Sequence, residues 1–136
     1  MQVTYRWSKS LPKDEVLKLY RSVGWSAAKK PTRLMRALEN SHSVISAWKG
    51  KSLIGLGYAI SDTSLVVYYP HLLVLPEYQR LGIGREMMTR LMQRYREFHQ
   101  HMLVADAKAA RFYRACGFER AGKTIPMWVF SGAEHG

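Results

Sequence analysis

The chain has little cysteine, few acidic residues and no long apolar run. Its one cysteine, Cys116, excludes an internal disulfide framework and a cysteine-rich zinc module, and it favours a reducing compartment. No stretch approaches the roughly 20 apolar residues that cross a bilayer, and the first residues lack the apolar core of a signal peptide. We therefore predict a cytoplasmic protein without a membrane partner, folded as a single domain over its 136 residues.

Acidic residues are outnumbered two to one. Lys and Arg total 21 against 10 Asp and Glu, which gives a formal net charge of +11. Such an excess suggests an anionic partner, namely nucleic acid, a membrane surface or a small phosphorylated ligand. The basic residues are scattered and form neither a run of five nor a recognition-helix pattern, so nucleic acid is not an expected partner. A cationic surface that only aids solubility stays an alternative.

Hydrophobic periodicity predicts an α/β fold of the α+β kind. Alternating or continuous apolar segments predict strands at 3–7, 43–48, 53–60, 65–75, 101–105 and 124–130. Apolar residues at helical spacing predict helices at 13–23, 31–40, 83–98 and 107–115. The order is therefore β-α-α-β-β-β-α-β-α-β. Short turns make the three middle strands antiparallel, and the strands on either side of the long helix can run parallel through a right-handed crossover. This order predicts a mixed, mostly antiparallel central sheet flanked by helices.

A loop with two glycines joins the fourth predicted strand to the long helix. The first N–H groups of a helix have no internal partner and carry partial positive charge, so they can hold a phosphate where glycines permit close approach. The P-loop pattern is excluded because Arg85 follows Gly84, where that loop requires Lys. The dinucleotide fingerprint is excluded because Met87 occupies its third glycine position. What remains is Gln79-x-x-Gly82-x-Gly84.

At these residues the sequence resembles the GNAT superfamily of acyl-CoA-dependent N-acetyltransferases, whose pyrophosphate loop is Arg/Gln-x-x-Gly-x-Gly/Ala. Downstream, Asp106-x-x-Ala109, then Phe112-Tyr113 and Gly117-Phe118, match the family's Asn-x-x-Ala, aromatic-Tyr and Gly-Phe patterns, with Asp106 in place of the more common Asn. The resemblance covers essentially the whole chain, and the order of elements is the GNAT order. More loosely, Val23-Gly24-Trp25 and the segment after Pro31 resemble the branch of plant plastid and cyanobacterial serotonin N-acetyltransferases.

The resemblance implies an acyltransferase that moves an acetyl group from acetyl-CoA to a primary amine by direct attack of the amine on the thioester. Acetyl-CoA is the expected co-substrate, a small-molecule amine is the expected acceptor, and no metal is expected. An arylalkylamine is the finer hypothesis for the acceptor. The residues that the resemblance assigns to acetyl-CoA are Leu72, Leu73, Val74, Gln79, Arg80, Leu81, Gly82, Ile83, Gly84, Arg85, Asp106, Ala109, Phe112 and Tyr113.

The resemblance also makes Tyr113 the proton donor to the leaving thiolate, and its reference pKa of about 10 keeps the phenol protonated at neutral pH. The strand before the glycine loop has no carboxylate, so His71 is the candidate proton acceptor. Trp25, Tyr68 and Tyr69 are expected to line the acceptor site.

Several alternatives stay open. Tyr113 can be simply the buried face of a helix, and His71 can be a histidine that only packs at a strand start. The whole chain can be a non-catalytic acyl-CoA-binding module or a basic nucleic-acid-binding domain, and a homodimer is also open.

Overall fold

The computed structural model describes residues 2–134, which form a mixed sheet flanked by helices. Its strands are β1 (Thr4–Trp7), β2 (Ser43–Lys49), β3 (Ser52–Ser61), β4 (Val66–Val74) and β5 (Gln100–Met102), which lie side by side in chain order. Its helices are α1 (Lys13–Ser22), α2 (Pro31–Asn40), α3 (Ile83–Arg94) and α4 (Ala110–Ala115). Short 3₁₀ turns occupy Ser26–Lys29, Pro76–Tyr78 and Ala107–Ala109.

The strand pairing confirms the predicted fold class. Strands β1 to β4 pair antiparallel with their neighbours, and β5 pairs parallel with β4 after the crossover through α3. The parallel contact is short, because only Val66, Val67 and Tyr68 of β4 have partners on β5. Two predicted helix ends are also confirmed. Pro31 is the first residue of α2, and Gly24, with φ +72°, follows the end of α1.

The helices cover both faces of the sheet. The Tyr58 ring of β3 contacts the His71 ring, which lies 2.8 Å from the Tyr20 hydroxyl of α1, whereas the neighbouring Gly57 lies under α3. Successive strand residues point to opposite faces, so α1 and α3 lie on opposite sides of β3. A Cβ at Gly57 would lie 2.7 Å from Leu72 Cδ1 and 3.3 Å from Leu91 Cδ1, which shows how closely α3 approaches the sheet. The core is formed by the apolar residues held between these layers.

A bulge interrupts β4 and changes which face its side chains occupy. Tyr58 pairs with His71 and Ile60 pairs with Tyr68, so two steps along β3 correspond to three along β4. The extra residue lies at Tyr69–Pro70, where proline has no N–H to give to a ladder. As a result Tyr69 packs towards α3, while His71, only two residues later, packs towards α1.

The predicted last strand, 124–130, is wrong. No strand follows β5 within residues 2–134. The side chains of Ile125, Met127 and Val129 are largely or fully exposed. A strand needs a partner for its backbone groups, and the edge strand β5 is only three residues long. β-propensity alone therefore does not produce a strand in this segment.

The long helix α3 is shorter than predicted, because it ends at Arg94 instead of continuing to Phe98. The apolar pattern continues past the helix, since the turn after Arg94 places the Phe98 ring 5.2 Å from the buried Tyr95 ring. No helix within the described residues is long and apolar enough to pass through a membrane.

Candidate active site

The loop between β4 and α3 forms a cradle of backbone groups. Arg80 and Gly82 adopt left-handed φ values of +64° and +86°, and Gly82 immediately precedes the first residue of α3. The Gly82 carbonyl accepts the first helical hydrogen bond, from the Glu86 N–H at 3.0 Å. The N–H groups of the first helical turn therefore project from the helix end beside the exposed side chains of Arg80 and Arg85. This arrangement suits an anionic group such as a phosphate.

Gln79 and Gly84 fix this loop against its neighbours. The Gln79 side-chain amide donates a hydrogen bond to the Val74 carbonyl at 3.0 Å, which ties the loop to the end of β4. A Cβ built on Gly84 would lie 3.4 Å from the Phe112 ring and 3.7 Å from Val74 Cγ2. The glycine thus lets α4 approach the first turn of α3, so the two sequence motifs meet in space.

Asp106 caps the turn that leads into α4. Its carboxylate accepts a hydrogen bond from the Lys108 N–H at 3.2 Å, and this is the capping role that the sequence predicts. The turn that follows, Ala107–Ala109, directs the chain into α4 and so sets the position of Phe112 and Tyr113.

Beyond Tyr68, β4 is open on one side. β3 pairs with it as far as Val74, but among residues 2–134 no strand pairs with its other edge after Tyr68. Backbone groups at Leu72, Leu73 and Val74 that point to this edge are therefore available to hydrogen-bond a ligand. The open edge runs directly into the glycine loop, so both elements face one continuous site.

Tyr113 lies beside the Phe112 ring, which packs over the start of α3. Its ring makes edge-to-face contacts with Phe112 at 5.0 Å and with Phe118 at 6.0 Å. Burial, together with the nearby Cys116, raises the pKa of Tyr113 to about 12. The Tyr113 hydroxyl has no hydrogen-bond partner among residues 2–134, and no enclosed polar side-chain atom there lacks one. The hydroxyl is therefore protonated and reachable from outside.

His71 lies at the centre of a group of rings that we call the aromatic cluster: Tyr20, Trp25, Tyr58 and His71. The ring centroids of Tyr20, Trp25 and Tyr58 lie 5.4, 5.2 and 5.1 Å from that of His71. Nδ1 of His71 is 2.8 Å from the Tyr20 hydroxyl. Desolvation lowers the pKa of His71 to about 4, and the charge of Glu134 opposes part of that shift. His71 is therefore uncharged at neutral pH. Its Nδ1 faces Tyr20, and Nε2 is its other ring nitrogen.

The structure separates the three predicted acceptor-site residues. Trp25 is in the aromatic cluster, and the partly exposed Tyr68 lies near it, because burial together with the smaller effect of Tyr68 raises the pKa of Tyr58 to about 12. Tyr69 is elsewhere: it is buried, its hydroxyl is 2.7 Å from His101 Nδ1, and its ring contacts Phe118 on the α3 side. The bulge at Tyr69–Pro70 thus places Tyr69 on the face opposite Trp25 and Tyr68, and its role in acceptor binding stays a prediction.

Two members of the aromatic cluster were not predicted from the sequence. In the sequence, Tyr20 is one of the apolar positions of α1, and Tyr58 is one residue of a continuous apolar strand segment. Only the pairing of Tyr58 with His71 and the packing of α1 on β3 bring them together. The one signal present in the sequence is that both are tyrosines, which carry a hydroxyl into an otherwise apolar environment.

A cavity of about 510 Å³ borders the aromatic cluster at Trp25 and also has Arg21 and Lys29 in its lining. Another cavity, of about 380 Å³, lies between β1 and the start of α1, and its lining includes no residue of the glycine loop or the aromatic cluster. Within residues 2–134, no three side chains of the metal-binding types lie close enough together to hold a metal ion.

Comparisons with known proteins agree with this architecture. The model of the acetyltransferase (GNAT) family matches residues 11–118. An uncharacterized N-acetyltransferase ycf52 from Gracilaria tenuistipitata var. liui is 32% identical over 108 residues, which are 74% of this chain and 58% of that protein. The chain thus spans little more than half the length of that relative.

Solved structures share the fold. A GNAT family acetyltransferase from Streptococcus pneumoniae TIGR4 superposes with a TM-score of 0.83 at 30% identity, over 96% of this chain and 99% of that one. The aminoglycoside N-acetyltransferase AAC(6')-Iy in complex with CoA superposes with a TM-score of 0.72 at 14% identity, over 94% of this chain and 95% of that one, so that it shares the fold alone. The finer resemblance to serotonin N-acetyltransferases stays a prediction. By its family match and its relatives, the chain belongs to the acetyltransferase (GNAT) family.

Proposed function

We propose that this protein transfers an acetyl group from acetyl-CoA to the primary amine of a small molecule. The observation that carries the proposal is the continuous site formed by the open edge of β4, the glycine loop at the start of α3, and Tyr113. A structural neighbour of the same fold is described in complex with CoA, which supports the choice of donor. Acetyl-CoA would supply an activated thioester whose carbonyl carbon accepts the amine nitrogen.

Donor binding is assigned to the loop and the open strand. The first-turn N–H groups after Gly82 offer hydrogen bonds to a pyrophosphate, and Arg80 and Arg85 add full positive charge beside them. Backbone groups of Leu72 to Val74 offer the hydrogen bonds that the amides of a pantetheine arm need. The Gly84–Phe112 contact sets how wide this site is at the helix end.

Tyr113 donates a hydrogen bond to the departing sulfur. With a pKa of about 12 its phenol stays protonated throughout the neutral range, and because full transfer to a thiolate of pKa about 8.5 would be uphill by about 5 kcal/mol, it stabilises the developing thiolate chiefly as a hydrogen-bond donor. Its hydroxyl has no competing hydrogen bond within the described residues, which leaves the O–H to point at a bound thiolate. The aromatic neighbours Phe112 and Phe118 hold the ring in place.

His71 acts on the amine side. With a pKa of about 4 it is neutral and can accept a hydrogen bond, but it is a weak base. Direct transfer from an ammonium of pKa near 10 to a base of pKa 4 is uphill by about 8 kcal/mol. In the tautomer whose Nδ1–H donates to the Tyr20 hydroxyl, His71 therefore aligns the amine by accepting a hydrogen bond at Nε2, and the proton that the ammonium loses goes to solvent. Trp25 and Tyr58 form apolar walls around His71, which also suits an arylalkylamine.

The test is acetyl transfer by the purified chain with acetyl-CoA and a panel of primary amines, read as release of free thiol. We expect turnover with at least one amine, and a Tyr113→Phe variant with kcat reduced about 10- to 100-fold and an unchanged dissociation constant for acetyl-CoA. Tyr5→Phe is the matched control, because Tyr5 is a half-buried tyrosine on β1 whose ring packs against Arg90 of α3 instead of the glycine loop.

Three outcomes would count against the proposal or narrow it. Full turnover by Tyr113→Phe would remove the hydrogen-bond-donor role. Tight binding of acetyl-CoA with no turnover on any amine would favour the non-catalytic binding module. Binding to DNA that weakens steeply with salt, together with no thermal shift from acetyl-CoA, would favour the nucleic-acid reading instead.

A further inference from the structure

The segment that follows α4 returns to the aromatic cluster. Glu134 accepts two hydrogen bonds at one carboxylate oxygen, Oε2, from the Ser26 backbone N–H at 2.8 Å and the Ser26 hydroxyl at 3.0 Å. Lys30 Nζ donates to Ser131 Oγ at 3.1 Å, which ties the same segment to the start of α2. A Cβ at Gly132 would collide with Ser26 Oγ and with the Phe130 ring. The segment is therefore closely seated on the chain around Ser26.

This packing places the Glu134 carboxylate at the edge of the proposed acceptor site. Ser26 follows Trp25, whose ring is 5.2 Å from that of His71. The charge of Glu134 reaches His71, because it raises the pKa of that imidazole against the larger effect of desolvation. Arg21 and Lys29, in contrast, line the cavity beside Trp25. The proposed acceptor site therefore has the negative charge of Glu134 on one side, and the positive charges of Arg21 and Lys29 lie in the cavity next to it.

The carboxylate is ionised at every pH at which the protein would work. Desolvation, the largest single effect, raises the pKa of Glu134, but hydrogen bonds from the backbone and hydroxyl of Ser26 and from the N–H groups of Glu134 and Ala133 together outweigh it and lower that pKa to about 2. Ser26 occupies Oε2, and Oε1 accepts from the Ala133 N–H at 3.2 Å, so a carboxylate with about four acceptor positions has capacity left with respect to residues 2–134. Aromatic faces beside such a carboxylate are a favourable environment for an ammonium ion.

An ammonium ion held there cannot be the reacting nitrogen. A fixed negative charge stabilises the protonated amine and raises its pKa, whereas attack on a thioester requires a neutral nitrogen with a free electron pair. The group at Glu134 is therefore one that stays charged while another nitrogen of the same molecule reacts beside His71.

Building on the proposed acetyl transfer, we propose that Glu134 binds a second, non-reacting cationic group of the acceptor, so that the preferred substrates are diamines or larger polyamines. The reacting primary amine lies at the aromatic cluster, and the second ammonium lies between Trp25 and the Glu134 carboxylate. Glu134 is then a specificity-determining residue supplied by a segment that has no regular secondary structure.

The experiment compares 1,5-diaminopentane with pentylamine, two acceptors that differ only in the second ammonium. In the unmodified protein we expect a KM about 3- to 5-fold lower for the diamine, the size of an ion pair at a partly solvated site. Glu134→Gln keeps an acceptor for the Ser26 N–H but removes the charge, and it should abolish this preference without changing the KM for pentylamine or the affinity for acetyl-CoA. Gly132→Ala, which unseats the segment, should do the same.

The matched control is Glu97→Gln, which removes an exposed carboxylate from the turn after α3 and should keep the preference.

A binding assay separates this proposal from the proposed function. Calorimetry with pentane-1,5-bis(trimethylammonium), which cannot be acetylated, should show tighter binding than with pentyltrimethylammonium, and Glu134→Gln should remove the difference. If no amine is acetylated but this difference is present, the acetyl transfer fails and the cation site stands. Equal KM values for the two amines, or a preference that survives Glu134→Gln, would overturn the role of Glu134.

Discussion

The burial of His71 makes a quantitative prediction about stability and pH. Desolvation lowers the pKa of His71 from its ordinary 6.5 to about 4 in the folded chain. The folded value lies below the unfolded one, so the unfolded chain binds this proton first as the pH falls. The contribution of His71 is therefore fully present above about pH 6.5 and is lost as the pH drops from there towards 4.

The size of the effect follows from the difference between the two pKa values. At pH 5, the unfolded histidine is almost fully protonated and the folded one is about one-tenth protonated, which costs about 2 kcal/mol of unfolding free energy relative to pH 7.5. That is a large share of the stability of a small domain, which is about 5–15 kcal/mol.

The assay is urea denaturation at pH 7.5, 6 and 5 of the unmodified chain and of His71→Asn, in which the titrating group is absent. We expect the unmodified chain to lose about 2 kcal/mol more than the variant over this range. His99→Asn is the matched control, because His99 is exposed after α3, and it should keep the slope of the unmodified chain. NMR should place the titration midpoint of the His71 ring near pH 4. Equal losses in His71→Asn and the unmodified chain, or a midpoint near 6.5, would refute the reasoning.

Three further substitutions test the packing. Gly57→Ala should destabilise the fold by about 1–3 kcal/mol in urea denaturation, because its Cβ would lie 2.7 Å from Leu72 Cδ1; no loss would mean that α3 can move away. Tyr95→Phe should cost about 1–3 kcal/mol, because the buried Ser43 hydroxyl, 2.5 Å from the Tyr95 hydroxyl, would lose that partner, and an unchanged midpoint would contradict this network. Asp106→Ala should cost about 1 kcal/mol by loss of its cap, and Asp106→Asn should restore most of it; equal stability of both variants would exclude capping as the cause.

Most elements of the fold could be predicted from the sequence because their signals are local. Pro31 opens α2 and Gly24 follows α1, as the conformational preferences of these two residue types require. The parallel pairing of β4 with β5 also agrees with the order of elements, since a crossover through α3 lets the two strands run in the same direction. The glycine loop was located by a local signal too, namely two glycines between a predicted strand and a predicted helix, and Gly82 adopts a positive φ there.

The features that were missed depend on partners distant in the chain. The strand predicted at 124–130 has strong β-propensity, but propensity cannot tell whether a partner edge is present. The aromatic cluster joins Tyr20 and His71, which are 51 positions apart and meet only after α1 packs on the sheet. Glu134 meets Ser26 across 108 positions, and a single glutamate among polar neighbours gives no sign of that contact.

The bulge in β4 has a consequence for how this chain tolerates change. Because one extra residue at Tyr69–Pro70 reverses the alternation, Tyr68 and His71 share the α1 face although they are three positions apart. Deleting one residue there would leave Tyr68 and His71 two positions apart, the spacing at which an unbroken ladder places both side chains on one face, so both would keep the α1 face. The bulge therefore lets this stretch carry one extra residue without changing the faces of the residues on either side, whereas a one-residue deletion elsewhere in β4 would exchange the faces of the residues on one side of it.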